Sequence, residues 1–309
     1  MFPQFEIGED PGVVRDFAQA ADELGYAHLT AFDQIVGLGR ASRPAWRYVH
    51  DADDAFHEVF VLLGFLAAVT RRIELVTGVL VLPMRGTALV AKQAAEIDLL
   101  SGGRLRLGVG VGVKPEEFVA CERPFERRGR RMDEQIALLR QLWTVPLVTF
   151  AGEFHRIDDG GINPLPVQRP IPVWIGGISE AAMRRVARLG DGWMPNFDPD
   201  DFGRRAVETM RVHVRAAGRD PATVGIEATL TIVDRTTEQL ARELEAWRAL
   251  GVDHVTASTL PERWVPAQGR WNKIDVPKLA SPRAHIDAIR RFREALPEYF
   301  RPPVAAGRG

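Results

Sequence analysis

Short apolar runs rich in β-branched residues alternate along this chain with longer stretches whose apolar positions recur at helical spacing. That is the pattern of parallel strands joined by crossover helices. Helices are predicted at Pro11–Leu24, about Phe56–Thr70, Thr87–Leu100, Glu126–Trp143, Ser179–Leu189, Asp201–Ala217, Thr237–Leu250 and Pro282–Leu296. The first has Asp10 as N-cap, Pro11 at its first position and Gly25 as its stop. Strands are predicted at Met1–Phe5, Ala27–Phe32, Ile73–Val81, Leu105–Val111, Pro172–Ile175, Gly192–Met194, Gly225–Val233 and His254–Ser258. Eight strands alternating with eight helices fit a closed α/β architecture, the (β/α)8 TIM barrel, better than an open doubly wound sheet. One domain over residues 1–309 is expected, interrupted at about 145–169 by an irregular insertion with two short strand-like pieces.

Two long connections break the rhythm, at about 34–55 and 259–281, and both leave C-terminal ends of strands, where barrel enzymes build their sites. Trp46 and Tyr48 lie in the first, Trp264 and Trp271 in the second. Such aromatics read either as lids over a flat ligand or as caps on the hydrophobic rim.

Composition narrows the function classes. Lys and Arg total 40 against 41 Asp and Glu, which argues against a nucleic-acid partner. Cys121 is the single cysteine, so neither a disulfide framework nor a cysteine-rich metal site is possible. With acidic and basic neighbours alike, it reads as a small semi-buried residue. The longest apolar stretch, Val59 to Val69, is too short to span a bilayer, and no basic segment leads into an apolar core at the N-terminus. A cytoplasmic protein with no membrane partner is expected.

Three glycine-containing strand ends carry the candidate chemistry. Trp174-Ile175-Gly176-Gly177-Ile178-Ser179-Glu180 runs from a strand through a glycine pair into a helix N-terminus, a ready anion site or a tight connection. Gly108-Val109-Gly110-Val111-Gly112 strips one strand face of side chains, so that a ligand ring or a neighbouring element can lie against the backbone. Gly78 interrupts the buried strand through Val76 and Val81, as at a bulge. Asp33 ends the second strand, and His57 and Glu58 open the helix after the first long loop. The sequence holds no nucleophile elbow, zinc-protease motif or P-loop, and its histidines show no metal-ligand spacing, so no metal is expected.

Taken together, several stretches resemble the luciferase-like monooxygenase superfamily. They are Ala21-Asp22-Glu23-Leu24-Gly25-Tyr26 into Phe32-Asp33-Gln34, Leu66 through Val79, Ala91 through Arg104, Gly108 through Gly112 and Glu116-Glu117-Phe118. Trp174 through Gly177 and Ala187 through Trp193 complete the set, which ends near residue 195. Within the superfamily the sequence is most similar to the branch using the 5-deazaflavin coenzyme F420, with FMN as the alternative. The resemblance implies a non-prolyl cis peptide at Gly78-Val79 against the cofactor ring, Gly110 and Gly112 at the ring's other edge, and Gly176 and Gly177 on the phosphate. Thr77, Val111 and Ile178 complete the implied cofactor contacts. It further implies hydride transfer to or from a small organic substrate, with Asp33 near the ring, Gln34 orienting substrate, and Trp46 and His57 facing it. Lys114, Arg184 and Arg185 are candidates to meet the deazaflavin's acidic tail. A homodimer is expected, with a flavin reductase as partner if FMN is used.

Two departures stand out. Gln34 occupies the place of the family's usual His and cannot serve as a general acid at neutral pH. Val113 stands where some deazaflavin dehydrogenases carry Glu, which argues against a sugar-phosphate dehydrogenase. A non-catalytic flavin-binding barrel is the rival from another class; it requires side chains to fill the mouth.

Overall fold

In the computed structural model each predicted helix begins and ends within about three residues of its expected bounds, because the local stop and start signals operate as read. The structure describes residues 1–43, 50–260 and 276–300 in full, and the backbone alone of 262–267 and 270–275. A short helix α1 (Gln4–Ile7) precedes α2 (Pro11–Glu23), whose N-cap Asp10 accepts from Gly12 N. Then follow β1 (His28–Ala31), α3 (Val59–Val69), β2 (Glu74–Thr77), β3 (Leu80–Val81) and α4 (Thr87–Ser101), the last stopped by left-handed Gly102. The chain continues through β4 (Leu105–Gly110), α5 (Pro115–Ala120) and α6 (Arg128–Thr144). An antiparallel hairpin, β5 (Val148–Ala151) and β6 (Arg156–Gly160), forms the insertion as a sheet separate from the barrel's. Then come β7 (Val173–Gly176), α7 (Glu180–Leu189), β8 (Gly192–Met194), α8 (Asp201–Ala216), β9 (Gly225–Thr231), α9 (Thr237–Ala249) and β10 (His254–Ser258). The last elements are β11 (Glu262–Ala267), β12 (Arg270–Asp275) and α10 (Pro282–Ala295).

The parallel sheet runs β1-β2-β4-β7-β8-β9-β10, with β3 also on β4. Its closure corrects the expectation of a first strand over Met1–Phe5. Only Met1 and Phe2 reach the sheet: the Met1 amine donates to Ala257 O (2.7 Å) and Phe2 N to Thr30 O (2.9 Å), bridging β10 and β1. Pro3 has no N–H to continue a ladder, and α1 begins at the next residue. The predicted third strand is also two pieces, broken at Gly78 and Val79. Finally, the expected loop 259–281 contains the β11–β12 antiparallel hairpin.

Many residues that carry the family resemblance are scaffold. Asp22 accepts from Arg71, Arg72 and Ile73 N, holding α2 to the start of β2. Asp98 takes Gln168 N and Nε2, and Asp191 takes Val173 N. Asp22 and Asp98 are buried carboxylates satisfied by these donors, while the half-exposed Asp191 also accepts from Arg140 Nη2. Inside the barrel, a Cβ on Gly192 would lie 2.2 Å from the Trp174 ring and one on Gly225 2.6 Å from it, so both glycines make room for the indole. Among the described residues no helix is long and apolar enough to cross a membrane.

Candidate active site

The barrel's C-terminal end opens into a cavity of about 300 Å³. Its wall takes Thr30 and Phe32 from the end of β1, Gly78 and Val79 after β2, and Gly176 and Gly177 from β7. Met194 ends β8 and Pro195 through Asp198 follow it, Glu227, Thr229 and Thr231 belong to β9, and Ser258 ends β10. The wall therefore includes four of the nine expected cofactor contacts, Gly78, Val79, Gly176 and Gly177, and not Thr77, Gly110, Val111, Gly112 or Ile178.

Two of the glycines, Gly110 and Gly176, share one reason for being there: they admit Val79. The Gly78–Val79 peptide is cis. A Cβ on Gly110 would meet Val79 Cγ2 at 2.6 Å, and one on Gly176 would meet Val79 Cγ1 at 2.8 Å. Val79 thus sits as a ridge with β4 and β7 backbone on either side. Gly78 itself faces Thr30, whose Cγ2 would be 2.1 Å from an added Cβ. Thr77 points away from the cavity and donates to Gly108 O (2.7 Å). Gly112 has a positive φ and backs onto Val81 and Phe118. At the anion-site turn, Gly177 N reaches Met194 O at 3.4 Å while Gly177 O accepts from Trp193 Nε1 (2.7 Å). Ser179 Oγ caps α7 through Ala182 N.

Asp33 and Gln34 are differently employed from the expectation. The Asp33 side chain is fully buried; Oδ2 accepts from Val81 N (2.9 Å) and Oδ1 from Arg85 Nη2 (2.6 Å). It anchors the chain just after the Val79 ridge. Gln34 Oε1 accepts from Lys114 Nζ (2.8 Å), which also donates to His50 O (3.1 Å). Lys114 is therefore an internal clamp on the segment after β1 and not a surface charge. Burial pushes its amine below the usual lysine range, and burial likewise pushes the neighbouring Glu117 carboxyl up to about 7 against the pull of Lys114. Arg185, the second expected tail contact, is buried and joins α7 to α6 through Asp133 and Gly129 O. Arg184 alone is exposed, paired with Glu180. His57 lies off the cavity wall, its N–H donating to Gln4 Oε1 (3.2 Å). Trp46 and Tyr48 lie outside the described residues, and Trp264 and Trp271 are described only as backbone.

Sequence reasoning missed the cavity floor. Glu227 Oε2 accepts from Arg106 Nη1 (2.7 Å) and Oε1 from Thr256 Oγ1 (2.7 Å). His28 Nε2 lies 2.6 Å from Thr256 Oγ1, and the Arg106 guanidinium stacks 4.3 Å over Trp174. Burial alone raises the Glu227 carboxyl, but His28, Arg106 and the Thr256 hydroxyl outweigh it and hold it below the usual range. The available signal was an acid and a base standing inside otherwise uncharged strands, Glu227 in β9 and Arg106 in β4. Gln4 was also missed; fully buried, it ties Phe32 O to the His57 backbone.

The floor predicts an acid sensitivity. Burial drives His28 down to about 3 from 6.5, so the folded state resists protonation that the unfolded chain accepts. Stability is full above pH 6.5 and is lost as pH falls from there toward about 3. Calorimetry should show the unfolding temperature dropping across that window, with a shallower drop in His28→Gln. Equal slopes in the two proteins would contradict this role for His28.

The cavity lies at the strand ends, where barrel enzymes build their sites, and comparison with known proteins gives the family. The luciferase-like monooxygenase model matches residues 3–297, and the chain belongs to that family. The uncharacterized protein Rv0940c of Mycobacterium tuberculosis is 39% identical over 211 residues, 66% of this chain and 72% of the relative. The FMNH(2)-dependent dimethylsulfone monooxygenase of Pseudomonas putida is 32% identical over 237 residues, 75% of this chain and 61% of its own. Among solved structures, the monooxygenase RslO1 from Streptomyces bottropensis superposes with a TM-score of 0.71 at 22% identity, covering 97% of this chain and 98% of that one. The coenzyme F420 dependent tetrahydromethanopterin reductase from Methanopyrus kandleri gives 0.70 at 14%, covering 97% of each. These two structures share the fold.

Proposed function

We propose that the protein transfers hydride between a 5-deazaflavin of the F420 type and a small organic molecule in the barrel mouth. The observation that carries this reading is the Val79 ridge: residues 110 and 176 have no room for a Cβ beside it, so a flat ring meets backbone and two methyl groups there. Such a cofactor supplies the redox chemistry, and the chain supplies orientation and a dry site. Val79, Met194 and Phe197 exclude water from one side, while Asp33 and Arg85 fix the strand that presents the ridge. First-turn amides of α7, from Ile178 to Glu180, would meet the phosphate. The described side chains leave the cavity open, whereas a non-catalytic barrel is expected to fill it.

A second reading, a monooxygenase using FMN reduced by a partner reductase, is favoured by one specific observation. Lys114 and Arg185 are spent inside the protein and Arg184 pairs with Glu180, so the three cations proposed for an acidic tail are engaged. The FMNH(2)-dependent relative agrees with this reading. In either case we propose a homodimer, for which the exposed Val61 and Phe65 of α3 and Leu89 of α4 offer an apolar face.

Titration with F420 and with FMN, followed by fluorescence, separates the readings. Tighter binding of F420, by about tenfold or more, supports the first. Tighter FMN binding replaces it with the second, and binding of neither overturns both.

A further inference from the structure

The cavity has two unlike walls. Gly78, Val79, Gly176 and Met194 make one of them, apolar and stripped of side-chain bulk. The other comes from β1, β9 and β10 and carries Thr30, Glu227, Thr229, Thr231 and Ser258. Residues 227, 229 and 231 alternate along β9, so their side chains share one face. Register places Ser258 beside Thr231 and Thr256 beside Thr229, which extends the hydroxyls across two strands.

Among the described residues the charged side chains that line the cavity are acidic, Glu227 and Asp198, and no Lys, Arg or His side chain joins them. Arg106, the cation that holds Glu227 ionised, lies behind it against Trp174 and off the wall. The Met1 amine is spent on Ala257 O, and burial pushes it down to about 5. Among the described residues a ligand in this space therefore meets two acidic side chains and four hydroxyl groups, with no side-chain cation to receive an anion. Hydroxyl groups serve as donors or acceptors, so they pair with carbonyl, amide, alcohol or amine groups alike. A carboxylate brought beside Glu227 in a water-poor cavity is opposed by the like charge and gains no counter-ion.

We infer that the substrate is a small neutral or cationic molecule with a hydrogen-bonding polar group, that carboxylates are excluded, and that Glu227 is the selecting residue. This assignment rests on the cavity being the active site of the proposed oxidoreductase, and it names that site's substrate class.

Three probes of one shape and different charge test it: isobutyrate, isobutyramide and isobutyramidine. Binding to the protein is followed by the methyl NMR signal of Met194, which lines the cavity. Isobutyramide and isobutyramidine should each bind at least about tenfold more tightly than isobutyrate, and in Glu227→Gln the gap should shrink to about threefold or less. Equal affinity of the wild-type protein for isobutyrate and isobutyramide overturns the inference, as does an unchanged gap in folded Glu227→Gln. Should that variant not fold, the wild-type series decides alone. The F420 and FMN titrations on the same samples keep the two claims apart. Flavin binding without charge preference sinks only the substrate class, and charge preference without flavin binding sinks only the proposed cofactor.

Discussion

The substitution Gly176→Leu is expected to raise the dissociation constant of the bound flavin by at least about 100-fold, a loss of about 2.7 kcal/mol. Even the first added atom, Cβ, falls 2.8 Å from Val79 Cγ1 and 3.3 Å from Cγ2. The longer leucine side chain must then either displace the Val79 ridge or occupy the cavity that Gly176 and Val79 both line. Either outcome removes the flat surface on which a ring would rest. Position 176 is only half-buried at the end of β7, so the barrel itself should survive, which circular dichroism and the unfolding midpoint will check. A milder companion, Gly176→Ala with Val79→Ala, removes the clashing methyl groups. It should therefore fold like the parent while binding flavin less well, because the ridge itself has gone. Retained affinity in Gly176→Leu, with the fold intact, would show that the ring lies elsewhere.

The second large effect concerns the floor. Arg106→Met should destabilise the protein by about 3–5 kcal/mol, because it leaves the Glu227 carboxylate buried without its guanidinium partner. The pair lies deep: both side chains are 5% exposed, so water cannot substitute for the lost contact. The double variant Arg106→Met/Glu227→Leu should recover most of that loss, since an apolar pair of similar volume has no charge to desolvate. Equilibrium urea unfolding of the parent, both single variants and the double variant gives the coupling directly. Near-additive losses would mean that the two side chains act separately and that the floor is held by packing around Trp174 alone.

How much of this was legible depended on whether the signal was local. Helix ends were readable because Asp10, Pro11, Gly25, Ser179 and Gly102 act on their own backbone neighbourhood. The alternation of strands and helices gave the barrel, since burial on both faces leaves continuous apolar runs. The three glycine clusters were visible as clusters, but the purpose that two of them share was not. That Gly110 and Gly176 both exist to admit Val79 depends on β4 lying between β3 and β7, and topology of that kind is absent from periodicity. The polar residues were harder still. Asp33 stood where a barrel carboxylate often does chemistry, yet its oxygens are taken by Val81 N and by Arg85, 52 positions away. The partner of Glu227 is 121 positions away. A charge inside a strand announces that some partner exists, and only the closed sheet says which.

The central claim is that a flavin-type ring lies against the Val79 methyl groups. It is tested most directly by methyl NMR of the protein labelled at valine, with the Val79 signals assigned as those lost in Val79→Ala. On addition of saturating F420 or FMN, both Val79 methyl signals should move by more than those of any valine outside the cavity wall, because an aromatic ring shifts the nuclei beneath its face. A cofactor that binds while the Val79 signals stay in place would contradict the account.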